Sequence, residues 1–283
     1  MIKKVLGFMA GFVAAALVSP VFAGDTLVIK GSTTVLPIAQ AASEAYMKLH
    51  PGVNISLSGG GSGDGIKALI DKSTDIASSS REIKDKEIEL AKSKGVNPVA
   101  HTVAVDAIVP IVHPKNKING LTIDQLSQIY QGKIVNWREA GGADQPIVVI
   151  SRDSSSGTFE SWGHLVLSGA KVTPKAQLQA SNGAIVQAVS KNKYAIGYIG
   201  IGYLNKSIKG LTVNGIPALA KTAIDKTYAI SRPLYMYTNG EPTGKAAGFI
   251  KFVLSTAGQK IVEEEGFVPL TTVKKPVKSG KRK

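Results

Sequence analysis

Residues 26–72 read TLVIKGSTTVLPIAQAASEAYMKLHPGVNISLSGGGSGDGIKALIDK, and their pattern indicates the fold class. Two short runs are rich in β-branched residues, and each is followed by a segment with helical spacing. Thr26 to Lys30 precedes Pro37 to His50, and Val53 to Leu57 precedes Gly65 to Lys72. Alternating strands and helices of this kind are typical of layered α/β proteins. We therefore predict an α/β fold.

The predicted helix over Pro37 to His50 has clear signals at both ends. Thr33 or Thr34 is a candidate N-terminal cap, and proline suits a first helical turn. The sequence His50-Pro51-Gly52 then predicts its end.

Two later segments fit the spacing of a capping box, in which a hydroxyl residue is followed three positions later by Glu or Gln. They are Ser79 to Glu82 and Thr122 to Gln125. Gly95 and Gly132 follow at the positions where these helices are expected to end.

The first 23 residues predict a cleaved signal peptide. Lys3 and Lys4 are followed by an apolar stretch from Val5 to Val18, and Val21-Phe22-Ala23 places small residues where a signal peptidase cleaves. The apolar run is shorter than the roughly 20 residues that a membrane-spanning helix needs. We expect the mature chain to begin near Gly24.

The chain contains no cysteine. This excludes disulfides, thiolate metal sites and a lipid attached to cysteine. We therefore expect an exported, unlipidated protein that is retained in the periplasm.

The net charge of +14 is unevenly distributed. Of the 34 basic residues, eight lie in the signal segment and in a tail over residues 271–283, so 26 remain against 20 acidic residues and the body carries +6. Aromatic residues make up only 6% and do not alternate with basic ones. A stacking platform for nucleic acid is not indicated.

Three loops combine glycine with hydroxyl side chains between a predicted strand and a predicted helix. They are GSTT at 31–34, GGGSGDG at 59–65 and RDSSSGT at 152–158. Unpaired N–H groups at a helix N-terminus, together with hydroxyl donors, suit an anion, and Arg152 adds a planar fork that matches two oxygens. Each loop alone is also explained by ordinary helix capping, so the residues by themselves leave both interpretations open.

Enzyme signatures are not satisfied. The glycine loop has the spacing of a Walker A motif, but Ile66 stands where lysine is required. Asp64 occupies the position where a nucleophile elbow needs glycine. The four histidines have no metal-ligand spacing.

Nine segments, in order over nearly the whole mature chain, carry a family resemblance. They are GSTTVLP (31–37), GGGSGDGI (59–66), DIASSSREIK (75–84), DAIVPIVHPKN (106–116), residues 121–137, RDSSSGT (152–158), AIGYIGIGY (195–203), RPLYMY (232–237) and residues 249–270. Together they resemble the phosphate-binding protein of the bacterial ABC phosphate importer, the PstS family.

The resemblance implies an α/β, two-lobed periplasmic-binding-protein (Venus-flytrap) fold with two hinge strands. The extended patterns at 99–113 and 227–238 are expected to pass between the lobes. The predicted organisation is a signal peptide (1–23), a discontinuous lobe 1 (24–105 plus 231–270), lobe 2 (106–230) and a basic tail (271–283).

The resemblance also implies the phosphate-binding residues. Those carried over from the family are Thr33, Thr34, Ser62, Arg152, Ser156, Gly157 and Thr158, and the predicted site also includes Ser32, Ser80, Asp64 and Asp153. Where some members have aspartate, this chain has Ser80, and where they have an acid two residues after the arginine it has Ser154. Asp64 or Asp153 is then expected to accept the proton of phosphate, with a slight preference for Asp64 because glycines flank it.

The function implied is capture of inorganic phosphate by a monomeric receptor, which delivers it to the membrane permease of an ABC importer without a cofactor, catalysis or nucleic acid. Three alternatives stay open from the sequence. They are capture of another oxyanion such as sulfate or molybdate, phosphoesterase activity with a loop serine as nucleophile, and an adhesive or signalling role of the same fold.

Overall fold

The computed structural model describes residues 26–270. The predicted signal peptide and the basic tail lie outside the described residues. Among residues 26–270, no helix has both the length and the apolar character that a membrane span requires.

Strands and helices alternate along the chain, as the sequence predicts. The strands are β1 Thr26–Gly31, β2 Asn54–Gly59, β3 Ile76–Ser79, β4 Pro98–Val112, β5 Gly120–Leu121, β6 Val148–Arg152, β7 Gln177–Gln179, β8 Ala195–Gly200, β9 Lys209–Gly210, β10 Thr212–Val213 and β11 Ser231–Asn239. The α-helices are α1 Leu36–Leu49, α2 Ser62–Ile70, α3 Asp85–Ser93, α4 Ile123–Gln131, α5 Gly157–Leu165, α6 Asn182–Lys191, α7 Ala220–Ile224, α8 Gly244–Leu254 and α9 Thr256–Glu264. Short 3-10 helices cover Trp137–Ala140 and Ile201–Tyr203.

One long strand connects the two halves of the main sheet. The strand order is β2-β1-β3-β11-β4-β8-β6-β7, with β9 also paired to β4. Residues 98–107 of β4 pair with β11, and residues 108–112 pair with β8, both in antiparallel register. A single strand therefore belongs to both halves of the sheet.

The first half of the sheet is packed by helices from both ends of the chain. Ile38 of α1 and Phe249 of α8 are fully buried and belong to one cluster with Ile29, Val103 and Leu234 of the sheet. Burial of such side chains stabilises the fold by about 1.5–3 kcal/mol each.

The second half has its own apolar core, centred on aromatic rings. The Trp162 and Tyr198 rings are stacked with centroids 4.4 Å apart, and Tyr130 meets Trp162 edge-on at 4.9 Å. All three side chains are fully buried. Trp162 lies on α5 and Tyr198 on β8, so this packing holds α5 against the sheet.

The helix α1 confirms the prediction in its position but not in its cap. Its N-cap is Val35, and no side chain caps it. Ser32 Oγ instead accepts from Thr34 N at 3.1 Å. The prediction of Thr33 or Thr34 as cap was therefore wrong, and both hydroxyls are available for other contacts.

The capping box predicted over Ser79 to Glu82 was also wrong. Ser79 ends β3, and the helix that follows begins only at Asp85. There the carboxylate of Glu87 accepts from Lys84 N at 2.9 Å. The loop before the helix is thus free to bring Ser80 and Arg81 to other partners.

The second predicted capping box is confirmed. Thr122 Oγ1 accepts from Gln125 N at 3.0 Å, and Gln125 Oε1 accepts from Thr122 N at 2.9 Å. The predicted helix ends are confirmed as well, because Gly95 and Gly132 adopt left-handed backbone with φ of 64° and 76°.

Candidate functional site

The three glycine–hydroxyl loops meet at the junction between the two halves of the sheet. Two of them follow the parallel strands β1 and β2, and the third follows β6. Loops at the carboxyl ends of parallel strands lie side by side, which is where α/β proteins bind ligands. The helices α2 and α5 begin at this junction, so their first N–H groups are directed toward it.

Nine of the eleven predicted site residues are buried at this junction. They are Ser32, Thr33, Thr34, Ser62, Ser80, Arg152, Ser156, Gly157 and Thr158. We call them the inner cluster. Buried polar side chains are informative because each needs a hydrogen-bond partner.

Hydroxyl groups connect the loops of the inner cluster. Thr34 Oγ1 lies 2.9 Å from Thr158 Oγ1, although the two residues are 124 positions apart. Ser62 Oγ lies 3.2 Å from Ser80 Oγ and accepts from Ser80 N at 3.0 Å. The first and third loops, and the second loop and the end of β3, are thereby joined.

Gly157 permits this close approach because it has no side chain. A Cβ atom at Gly157 would collide with the hydroxyls of Ser62 and Ser80. Nearby, Gly63 N donates to Ser155 O at 2.9 Å. The two halves of the sheet are therefore in backbone contact beside the inner cluster.

The guanidinium group of Arg152 is held by backbone carbonyls. Nε donates to Gln179 O and Nη2 to Ala180 O, both at 2.9 Å. Burial lowers the pKa of Arg152, while the charge of Asp153, 4.0 Å away, raises it. The guanidinium group of arginine stays protonated in proteins. The inner cluster therefore contains a fixed, desolvated positive charge.

The two predicted proton acceptors do not join the inner cluster as buried groups. Asp64 is exposed and lies two positions after the buried Ser62 on α2, so the two side chains point to different faces of the helix. Asp153 is about one-third exposed, and its Oδ1 accepts from Ser155 N at 2.8 Å. The Asp64 carboxylate lies beside Gly60 of the second loop, and its role as proton acceptor stays a prediction.

The sequence interpretation missed a buried ion pair beside the inner cluster. Asp106 of β4 is fully buried, and its Oδ2 accepts from Arg232 Nε at 3.0 Å and Nη2 at 2.8 Å. Arg232 Nη2 also donates to Thr158 Oγ1 at 3.0 Å. Both residues lie in segments that carry the family resemblance, but only the pairing of β4 with β11 brings them together.

Burial acts on both members of this ion pair. It raises the pKa of Asp106, which Arg232 in turn lowers, and it lowers the pKa of Arg232, which Asp106 raises. The attraction between the charges is therefore partly offset by desolvation. Loss of either partner would leave the other charge buried and uncompensated.

Asn182, the first residue of α6, was also missed. Its side chain is fully buried, and Nδ2 donates to Thr33 Oγ1 and Thr34 Oγ1, each at 3.1 Å. Its Oδ1 accepts from Gly200 N at 3.1 Å. No local motif marks this residue, because its partners are almost 150 positions away.

A second group of contacts, which we call the outer ion-pair cluster, consists of Arg81, Lys84, Glu87 and Glu160. Arg81 Nη2 lies 2.7 Å from Glu87 Oε1, and Arg81 Nε lies 2.9 Å from Glu160 Oε2. Lys84 Nζ lies 2.8 Å from the same oxygen of Glu160. Burial opposes the charge on Arg81, but its hydrogen bond to Glu87 and the charge of Glu160 raise its pKa overall. Glu160 belongs to α5, so these ion pairs also link the two halves of the sheet.

The part of the chain that the structure describes has no group of three or more His, Asp or Glu side chains placed to hold a metal ion. The serine hydroxyls of the inner cluster bond to one another and to backbone N–H groups. Ser156 Oγ, for example, accepts from Phe159 N at 3.2 Å. This arrangement offers hydrogen-bond donors to an anion.

Comparison with known proteins places this geometry in a family. A family model described as a PBP superfamily domain matches residues 21–257. Phosphate-binding protein PstS of Borreliella burgdorferi is 37% identical over 256 residues, which cover 86% of this chain and 90% of that protein. PstS of Bacillus subtilis is 33% identical and covers 89% of this chain and 83% of its own.

Solved structures agree with this match. A substrate-binding protein from Clostridium perfringens, described as part of a phosphate ABC transporter and solved with bound phosphate, has a TM-score of 0.81 at 35% identity. The match covers 87% of this chain and all of that one. An ABC-type phosphate transport receptor from Vibrio cholerae has a TM-score of 0.71 at 31% identity, over 86% and 99% of the two chains. The α/β, two-lobed fold is confirmed, and the chain belongs to the PBP superfamily and, within it, to the PstS family of phosphate-binding proteins.

Proposed function

We propose that this protein captures inorganic phosphate between its two lobes and delivers it to an ABC importer. The observation that carries the proposal is the inner cluster, in which buried hydroxyls and Arg152 from loops of both halves of the sheet converge. The relative from Clostridium perfringens was solved with bound phosphate, which supports phosphate as the ligand.

The chemistry of the inner cluster suits a tetrahedral anion. Arg152 supplies a positive charge, the hydroxyls supply neutral donors, and the N-terminal ends of α2 and α5 add the positive ends of their helix dipoles. Hydrogen bonds to an ionised acceptor are about twice as strong as neutral ones, and exclusion of water strengthens them further. The ligand is bound and released unchanged. The relatives named above are binding proteins, which supports a receptor rather than a phosphoesterase.

Closure of the lobes follows from contacts that need both halves of the sheet. One such contact is the hydrogen bond between the hydroxyls of Thr34 and Thr158. Another is the backbone hydrogen bond from Gly63 N to Ser155 O. An anion that binds groups on both sides favours the closed arrangement by its differential affinity for it. The hinges in this proposal are β4 and β11, and the lobes are 24–105 plus 231–270 and 106–230.

The cellular setting forms the finer part of the proposal. Residues 1–23 direct export and are removed, and the protein works without a lipid anchor in the periplasm, as a monomer. Its importer partner is a membrane permease. The modest charge of the body does not favour nucleic acid as a partner.

Calorimetric titration of the mature protein tests the proposal. We expect phosphate to bind in a 1:1 ratio and sulfate or molybdate at the same concentration not to displace it. Incubation with an aryl phosphate is the control for phosphoesterase activity, and we expect no turnover. Equal binding of sulfate would refute the assignment of phosphate, and release of the aryl alcohol would refute the receptor.

A further inference from the structure

The side-chain amide of Asn182 has a fixed orientation. A backbone N–H can only donate, so the atom that meets Gly200 N at 3.1 Å must be the amide oxygen. The NH₂ group is then directed at Thr33 Oγ1 and Thr34 Oγ1. Both threonine oxygens therefore accept from Asn182.

This orientation determines where the threonine protons point. A hydroxyl has one proton and two lone pairs. Because Asn182 has no lone pair on its NH₂ group, Thr33 and Thr34 cannot donate back to it. Their protons are therefore available to other acceptors.

The hydroxyl of Thr158 also accepts a hydrogen bond from a group that can only donate, the guanidinium of Arg232. Arginine can only donate, so Thr158 Oγ1 accepts from Arg232 at 3.0 Å. Thr34 and Thr158 are 2.9 Å apart, so one of their two protons can be spent between them. When Thr158 donates to Thr34, the Thr34 proton remains for a ligand.

We propose that Asn182 is a positioning residue, which holds Thr33 and Thr34 as hydrogen-bond donors toward the bound anion. The proposal rests on the phosphate-binding function proposed above. Asn182 lies on α6, whereas the two threonines follow β1, so the same amide also spans the two halves of the sheet. It acts through the threonines and needs no contact with the anion.

Substitution of Asn182 by aspartate separates this role from a structural one. Aspartate keeps the shape and the acceptor for Gly200 N, but its second oxygen accepts where the amide donates. The threonine protons would then turn toward residue 182 and away from the anion. A structural role predicts that Asn182→Asp is milder than Asn182→Ala, whereas a positioning role predicts the reverse.

The experiment measures phosphate affinity by calorimetry for the wild type, Asn182→Ala, Asn182→Asp and the charge control Ser181→Asp. Ser181 is the N-cap of α6, a position that accepts aspartate. We expect losses of about tenfold for Ala and about a hundredfold for Asp, in the range of hydrogen bonds to charged groups, and less than about threefold for Ser181→Asp. Thermal unfolding without phosphate verifies that each variant folds.

A double-mutant cycle of Asn182→Ala with Thr33→Val provides the second readout. If Asn182 acts through the hydroxyl, the two losses combine to less than their product. Independent losses, or an Asp variant milder than the Ala variant, would overturn the positioning role while leaving phosphate binding intact. If the Ala variant does not fold, the test is the phosphate affinity of Asn182→Asp compared with that of Ser181→Asp. Equal affinities of these two variants would overturn the proposal. A wild-type protein that does not bind phosphate would overturn the proposed function and this inference with it.

Discussion

The inner cluster and the outer ion-pair cluster both join the two halves of the sheet, but they do so with different chemistry. The inner cluster joins them through neutral hydroxyls that are almost fully buried, whereas the outer cluster uses full charges, with Lys84 half exposed. Hydrogen bonds in a buried site are strong, while an ion pair that reaches water, as at Lys84, is screened. The Arg81 and Glu160 side chains are only 7% and 13% exposed, so screening is weaker between them. We infer that the inner cluster determines ligand affinity and that the outer cluster adjusts how long the lobes stay closed.

The largest expected effect is the loss of the buried ion pair beside the inner cluster, Asp106 with Arg232. Asp106→Ala removes the carboxylate and leaves the buried Arg232 without its counter-charge. Breaking a buried pair in this way lowers the free energy of unfolding by about 3–5 kcal/mol. Urea denaturation of the protein without phosphate measures the loss.

The control for this prediction is Glu160→Ala, which removes a carboxylate from the outer cluster. We expect it to lower the free energy of unfolding far less, because its partners keep access to water or to Glu87. Similar losses for the two variants would contradict the distinction between the clusters.

Loss of the arginine in the inner cluster is the next largest effect. Arg152→Ala should weaken phosphate binding by about 2–5 kcal/mol, the usual cost of truncating one partner of a buried charged contact. Arg152→Lys should restore only part of the affinity, because an ammonium group cannot reproduce the planar fork. Calorimetry measures both. An Ala variant with wild-type affinity would show that Arg152 lies outside the phosphate site.

The outer cluster should affect rates more than affinity. Glu160→Gln removes the charge that faces Arg81 and Lys84 and should weaken binding by about 1 kcal/mol or less. Stopped-flow measurements should place this change in the dissociation rate. The difference from wild type should shrink at high salt, and a difference that is independent of salt would argue against an electrostatic link.

We expect the smallest effects at Asp64 and Asp153, the two acids predicted from the sequence to accept the proton of phosphate. Because the Asp64 side chain is exposed, we expect Asp64→Asn to leave both phosphate affinity and discrimination against sulfate unchanged. Asp153→Asn is the matched comparison, since Asp153 lies within 4.0 Å of Arg152. Competition titrations with sulfate test both variants. A loss of discrimination in Asp64→Asn would identify Asp64 as the acceptor of the phosphate proton.

Local sequence rules predicted the elements well and the site only in part. Strands, helices and the capping box at Thr122 follow from patterns within a few residues, and the structure confirms them. Thr33 and Thr34 look identical to helix caps in the sequence. Their hydroxyls bond instead to Asn182 and Thr158, which no local rule can foresee.

The residues that were missed have their partners far away in the chain. Asp106 and Arg232 are 126 positions apart, and they meet only because β11 pairs with β4. The resemblance marked the segments around them, but it carried no role for either side chain. The sequence did not predict that Asp64 would be exposed, because this depends on which face of α2 packs against the sheet. Its role as proton acceptor stays a prediction.

The position of β11 between β3 and β4 also governs the order in which the chain can fold. A growing chain that has reached residue 230 contains all the strands on the β8 side of β4, but it lacks the strand that separates β3 from β4. It also lacks Phe249 and Val262, which are fully buried in the first core. The half of the sheet that is made first must therefore wait for the last residues to complete its core. Since such long-range pairing is slow to form, we expect the core of the first half to be completed late in folding, after the second half.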